Sequence, residues 1–188
     1  MEAHATLMNE PDPIADAIRL GAYRDAVALS ARHHGPALGR FCMALLGDQG
    51  EAEETTQETL IAAYDAFPQY RGEGSVRGFL FGIARRQCAK RLTTRVRRER
   101  RLQLVHDASP DAQTPADLLD RRRRALRVRD ALELLKPSER EAVVLRYESG
   151  LAYREIAELM AIDEAAARKR VSRALLQLRS TLNDEVMS

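Results

Sequence analysis

Between Ala165 and Arg173 the chain reads AAARKRVSR, which sets Arg168, Lys169, Arg170 and Arg173 among small residues. A guanidinium fork can take a phosphate or the acceptor edge of guanine, an ammonium can do either as a point charge, and an alanine methyl can touch thymine. At about 100° per residue on a helix, Lys169 and Arg173 point away from an apolar stripe of Ala167, Val171, Ala174, Leu175, Leu178 and Leu182. Ala165, Ala166 and Arg170 flank the two cations. Such a face can enter a major groove, and it can equally be an ordinary solvated helix face, so geometry alone leaves both open.

Other side chains with chemical potential lie upstream. Arg85, Arg86, Lys90, Arg91, Arg95, Arg97 and Arg98 make the outer face of a second helix strongly basic, and that helix follows a loop, YRGEGSVRG, with three glycines. The loop lacks the Walker pattern and a preceding strand, so nucleotide hydrolysis is set aside. Glu53, Glu54, Gln57 and Glu58 remain outside on a third helix, where a well-capped surface helix is the plain explanation. No Ser, His and Asp arrangement, no paired carboxylates and no metal-ligand cluster occur, so no catalytic residue, metal or cofactor is expected. His33 and His34 are read as surface residues ending a helix, and Cys42 and Cys88, without a CxxC pattern, as reduced structural thiols.

The elements that carry these residues are helices, because Ala, Leu, Arg and Glu dominate and alternating β-branched runs are scarce. Residues 1–13 read as a tail with Pro11 and Pro13. A helix is expected from Ile14 or Ala15 toward His33, broken at Gly21, and a second one after Gly35 and Pro36 supplies Leu38, Phe41, Cys42, Leu45 and Leu46 before Gly47 ends it. The next helix, Glu51 to Ala66, is expected to bury Leu60, Ile61, Tyr64 and Phe67. After a loop from Tyr70 to Gly78, the basic helix buries Phe79, Leu80, Ile83, Cys88 and Leu92.

Two prolines and weak periodicity make 102–120 a flexible linker. A helix then places Leu126, Leu132 and Leu135 on one side, Pro137 opens another, and Val143, Val144 and Tyr147 are expected to pack behind a helix-turn-helix. In that motif Ile156, Ala157, Leu159 and Met160 face the core, Ile162 sits in the connection and Asp163 caps the last helix. The expected fold is all-α: two small helical domains, 14–101 and 121–188, joined by the linker.

The net charge of +2 hides segregation: residues 1–70 carry −7, 71–101 carry +9, 102–120 carry −4 and 121–188 carry +4. Two basic surfaces and an acidic one suit a protein that touches nucleic acid at two places and another macromolecule elsewhere. No apolar run approaches the roughly 20 residues a bilayer span needs, and the first residues do not read as a signal peptide. The expectation is a cytoplasmic protein without membrane insertion.

In order, these segments resemble the extracytoplasmic-function (ECF) group of bacterial RNA polymerase sigma factors, from about Tyr23 to Leu182. Ala52 to Thr59 is similar to the family's AEDxxQET helix. Tyr70 to Glu73 with Phe79 to Arg85 resembles its FRGxxxxxxWLxxIAR segment. Pro137 to Arg140, Gly150 to Ala157 and Arg168 to Ala174 resemble its second domain. The resemblance implies that Glu53, Glu54, Gln57 and Glu58 dock on the polymerase clamp. It implies that Arg71, Gly72, Glu73, Ser75, Phe79, Arg85, Arg86 and Lys90 recognise and open the minus-ten element by capturing an extruded base. It implies that Ala165, Ala166, Arg168, Lys169, Arg170 and Arg173 read the minus-thirty-five element.

The chain departs from the family at Phe79 (Trp there), Arg86 (Asn), Lys90 (Asp), Ala161 (Gly), and Ala166 and Ala167 (Thr and Val), so no relative's promoter sequence is carried over. The implied partners are core RNA polymerase, promoter DNA and an anti-sigma factor, with no enzymatic activity and no small-molecule substrate. Two other readings compete: a stand-alone helix-turn-helix regulator binding duplex DNA, and a helical adaptor that binds only proteins.

Overall fold

The structure is a computed structural model that describes residues 12–102 and 126–184. The linker expected at 102–120 lies outside the described residues except for Leu102, as do residues 1–11, the arginine run at 121–124 and the side chains of Arg97 and Arg98.

Helix α1 spans Pro13–Arg19. It starts inside the expected tail because Asp12 caps it, Oδ1 accepting from the Ile14 N–H at 2.9 Å, while Pro13 occupies the first turn, where no N–H is missed. Gly21 turns the chain at φ 73°. Helix α2, Tyr23–Leu46, then runs without a stop through Gly35 and Pro36. The expected break there is wrong. Proline forfeits one backbone bond, and the burial of Ala26, Leu38, Phe41, Cys42 and Leu46 along one helix outweighs that loss. The histidines therefore end no helix; His33 is exposed and His34 half-buried in mid-helix.

Asp48 caps α3, Gln49–Ala66, through the Glu51 N–H at 2.8 Å. The buried face of α3 is Ala52, Thr55, Thr59 and Ala63, whereas Ile61 is 65% and Tyr64 41% exposed. This corrects the expected core, of which Phe67 is buried and Leu60 half-buried. The threonines can go inside because Thr55 and Thr59 each donate to a carbonyl one turn back, Glu51 O at 2.6 Å and Thr55 O at 2.7 Å. Small residues on this face also let α3 pack against α2 and α4.

Helix α4, Val76–Leu102, begins three residues inside the expected loop, because the Ser75 hydroxyl accepts from the Gly78 N–H at 2.9 Å and serves as its cap. Its buried residues include Val76, Leu80, Phe81, Ile83, Ala84 and Cys88. Phe81, which periodicity did not single out, meets Phe41 of α2 edge to face at 5.4 Å, while Phe79 and Leu92 are only half-buried.

The C-terminal half comprises α5, helical over 126–133, α6 (Pro137–Tyr147), α7 (Tyr153–Met160) and α8 (Glu164–Asp184). Helices α7 and α8 form the helix-turn-helix, with Ala161 in the left-handed region at φ 53° and Ile162 donating to the Ala157 carbonyl at 3.0 Å. Behind it α6 buries Ala142, Val143, Val144 and Leu145. Tyr147 does not join them, being exposed past the last buried turn. Leu135 is buried, Leu132 half-buried and Leu126 exposed at the helix edge. One connected set of buried side chains runs from Leu38, Phe41 and Leu80 to Leu145, Leu151 and Val171, so the two halves pack against each other.

Candidate nucleic-acid interface

Helix α8 is held in place from both ends of its first turns. Asp163 Oδ1 accepts from the Ala166 N–H at 2.6 Å, and Ala167, Val171 and Ala174 are buried. Periodicity then decides what faces out: Lys169 and Arg173 are exposed, Ala165 is exposed, and Ala166 and Arg170 are half-buried beside them. Arg168 already has partners. Its guanidinium lies 4.5 Å over the Tyr153 ring and it bonds Glu164 at 2.5 Å, while Arg146 stacks on the same ring at 4.7 Å. Lys169, Arg170 and Arg173 meet no acidic partner among the described residues, and so keep their charge for a ligand.

The second basic surface is the loop before α4 and the first turns of that helix. Gly72 and Gly74 both take positive φ, 75° and 80°, which lets the loop fold back so that the Tyr70 hydroxyl donates to the Gly74 carbonyl at 3.0 Å. Phe79 supports the loop from below, 5.0 Å from the Tyr70 ring and stacked at 6.1 Å on Phe67. A cleft of about 580 Å³ opens beside it, lined by Asp12, Asp16, Arg19 and Tyr23 as well as Tyr70 and Ser75. Burial, and then the charge of Asp12, push the Tyr70 hydroxyl above its usual pKa, which keeps it a donor.

Arg71, Gly72 and Ser75 are exposed at the cleft rim; Glu73 in the same loop and Arg86 and Lys90 along α4 are exposed as well, while Arg85 is half-buried and bonds Glu141 at 2.5 Å. The α1 residues of the cleft were missed by sequence reasoning. They lie some fifty residues upstream of the loop, and only the capped turn at Asp12 hinted that α1 is a fixed wall.

The third surface is on α3. Glu53 accepts from the Gln49 amide at 2.9 Å, Gln57 is exposed, and Glu54 and Glu58 both bind Arg91 of α4, at 2.9 and 2.8 Å. Ile61 falls within roughly 20° of Glu54 on the helix. An exposed isoleucine inside a ring of carboxylates is a surface that can bury something.

Neither a metal-binding group of three His, Cys, Asp or Glu nor a helix long and apolar enough to cross a membrane occurs among the described residues. Cys42 and Cys88 are free and buried. The Cys88 thiol is pushed above its ordinary range, first by its hydrogen bond with Cys42 and then by burial.

Family profiles described as Sigma-70 region 2 and Sigma-70, region 4 match residues 31–100 and 125–178. The chain is 30% identical over 161 residues to the ECF RNA polymerase sigma factor SigL of Mycobacterium tuberculosis, covering 80% of this chain and 85% of that protein. It is 31% identical over 166 residues to SigC of the same organism, covering 79% and 85%. Among solved structures it is similar to the sigma factor RpoE of Bartonella quintana in complex with the anti-sigma factor NepR, with a TM-score of 0.68 at 25% identity over 86% of this chain and 97% of that one. CnrH, solved with the cytosolic domain of CnrY, shares the fold, with a TM-score of 0.67 at 22% identity over 91% and 96%.

Proposed function

The chain belongs to the ECF RNA polymerase sigma factors, alternative initiation factors of the sigma-70 superfamily, and from that membership we propose how its own residues divide the work. Residues 14–101 form the unit that docks on core polymerase and opens the minus-ten element; 121–188 form the unit that reads the minus-thirty-five element, and 102–120 link them. Glu53, Glu54, Gln57 and Glu58 meet the polymerase clamp around Ile61. Arg71, Gly72, Glu73 and Ser75 rim the cleft that takes an extruded base, Phe79 supports it, and Arg85, Arg86 and Lys90 track the single strand. Lys169, Arg170 and Arg173 lie in the major groove with Ala165 and Ala166, and Arg168 braces the helix against Tyr153.

The observation that carries this reading is that Lys169 and Arg173 on α8 and Arg86 and Lys90 on α4 are exposed, with no acidic partner among the described residues, on two separate helices of a chain that matches both sigma-70 regions in order. Its partners are then core RNA polymerase, promoter DNA and an anti-sigma factor, its place the cytoplasm, and it works by binding alone, without enzymatic activity or a cofactor. The stand-alone regulator finds no support, because the relatives match both halves of the chain. In vitro transcription with purified core polymerase tests the reading: promoter-specific initiation that requires this chain is expected. Tight duplex binding without polymerase, together with no initiation, would reverse it.

A further inference from the structure

Cys42 of α2 and Cys88 of α4 are the two cysteines of the chain, and neither the DNA surfaces nor the polymerase surface uses them. Both are free, and Cys42 is 0% and Cys88 1% exposed. Two contacts between the same helices bracket the pair. Phe41 meets Phe81 edge to face on one side, and Arg95 Nη1 donates to the Leu46 carbonyl at 3.0 Å on the other. Between these points the Cys88 S–H donates to the Cys42 sulfur, which the Thr56 hydroxyl of α3 also approaches. The bond from Cys88, against burial and helped by Thr56 and the charge of Arg91, holds the Cys42 thiol below its usual pKa. Cys42 is therefore the better nucleophile of the two, and Cys88 stands ready to resolve what it forms. A cleft of about 320 Å³ between α3 and α4, lined by Gln87, Arg91 and Thr94 among others, brings small solvent molecules to the residue before Cys88 and to the turn after it.

We propose that Cys42 and Cys88 form a peroxide-responsive thiol pair that closes to an intrachain disulfide pinning α4 to α2. The Cys42 sulfur attacks one oxygen of hydrogen peroxide, the O–O bond breaks, and the departing hydroxide leaves as water with the Cys42 proton. The product is a sulfenic acid on Cys42. The Cys88 sulfur attacks it, the S–O bond breaks, and a second hydroxide leaves as water with the Cys88 proton. Two thiols are oxidised and one peroxide is reduced, giving one disulfide and two waters. Burial favours this oxidant over bulkier thiol-disulfide reagents, because a peroxide is little larger than water. Two sulfurs in hydrogen-bond contact must draw closer to bond, and a close-packed interior passes that movement on. One turn beyond Cys88, Arg91 binds Glu54 and Glu58 of α3, and Arg86 and Lys90 lie exposed on either side of Cys88. Oxidation thus displaces the cations assigned to the melted strand and the carboxylates assigned to polymerase, and the disulfide form initiates less well. That consequence rests on the functional reading above, whereas the disulfide itself does not.

The test treats the full, reduced chain with hydrogen peroxide, removes the peroxide, then unfolds one portion in maleimide and gives another to core polymerase. The first portion should be a monomer that has lost two hydrogens by intact mass, takes up no maleimide and yields one peptide pair joined through Cys42 and Cys88. In Cys88→Ala, dimedone should trap a sulfenic acid on Cys42. Initiation by the oxidised wild type should fall by about fivefold or more, the weight of one interface contact. Dithiothreitol should restore it, which oxidised methionine would not allow, and Cys42→Ala and Cys88→Ala should initiate alike with and without peroxide. Thiols that still take maleimide after peroxide, a sulfinic acid in place of the bridge, or a bridge between two chains overturns the pair. A bridge that leaves initiation unchanged overturns its effect on α4. Failure of the reduced wild type to initiate counts against the functional reading, and the mass and maleimide results then judge the disulfide alone. Should Cys42→Ala fail to fold by circular dichroism, Cys88→Ala decides.

Discussion

Arg91 Nη1 on α4 lies 2.9 Å from Glu54 Oε2 on α3, and its Nη2 reaches Glu58 one turn further along the same helix. One guanidinium thereby fixes two of the carboxylates assigned to polymerase. The hydrogen bond to Glu54, more than that to Glu58, strengthens its hold on its proton. Because the pairs are partly exposed, their worth is modest and salt-dependent. Replacing Arg91 with Leu should cost about 1 kcal/mol in urea unfolding at low salt, and most of that difference should vanish in 1 M salt. A loss that salt leaves untouched would mean the arginine stem matters through packing.

Lys169 and Arg173 are exposed cations in the first half of α8 without an acidic partner among the described residues. Either one changed to Ala should weaken holoenzyme binding to a minus-thirty-five duplex by about 1 to 3 kcal/mol if it contacts a base edge. The loss should then concentrate on promoters altered at one position. A uniform loss across a panel of duplexes assigns the residue to phosphate instead. Arg168→Ala should behave differently, lowering thermal stability because Tyr153 loses one of its two stacked cations.

Ile61 is 65% exposed amid Glu54, Gln57 and Glu58. Ile61→Glu should leave the melting temperature within the change expected of a surface site, about ±0.5 kcal/mol. Its affinity for core polymerase, measured by competition with another sigma factor, should fall by about tenfold or more, as for a desolvated interface centre. Undiminished competition would place the docking surface elsewhere.

His34 is held below its ordinary pKa, first by burial and then by Arg77, with Asp12 opposing them. The folded state therefore prefers neutral His34. Its contribution to stability is fully present above the unfolded pKa near 6.5, and is lost as pH falls through the folded value. The melting temperature should drop between pH 7.5 and 5.5, and His34→Gln should flatten that drop. An unchanged slope in the variant would trace the pH dependence to other groups.

Ala161 carries φ 53° in the turn before α8. The left-handed region costs a residue with a Cβ roughly 1 kcal/mol, partly offset by the freedom glycine gains when unfolded. Ala161→Gly should raise stability by about 0.5 kcal/mol, read as a shift in the urea midpoint, with promoter choice unchanged. A lower midpoint would show the methyl to be making a contact that outweighs the strain.

Much of the molecule was legible from local chemistry. The helix-turn-helix, its Asp163 cap and the outward pair Lys169 and Arg173 followed from spacing and capping, because over a single helix the periodicity of apolar residues sets the buried side. The all-α class followed from composition, and the order of the three segments was legible through their resemblance to the sigma factors. What the sequence could not decide depends on which neighbour a helix meets. Nothing local says that α3 buries Thr55 and Thr59 and leaves Ile61 and Tyr64 outside, because that choice is made by the close approach of α2 and α4. Nor does spacing show that α2 continues through Pro36, where burial along its whole length outweighs one absent hydrogen bond. Contacts of long sequence separation are the extreme case: Asp16 beside Tyr70 in one cleft, Arg168 under Tyr153, and above all Ser75 with Glu155 and Arg85 with Glu141. The last two pairings exist only once the two halves have packed, since each partner alone is an ordinary polar residue that water would satisfy equally well.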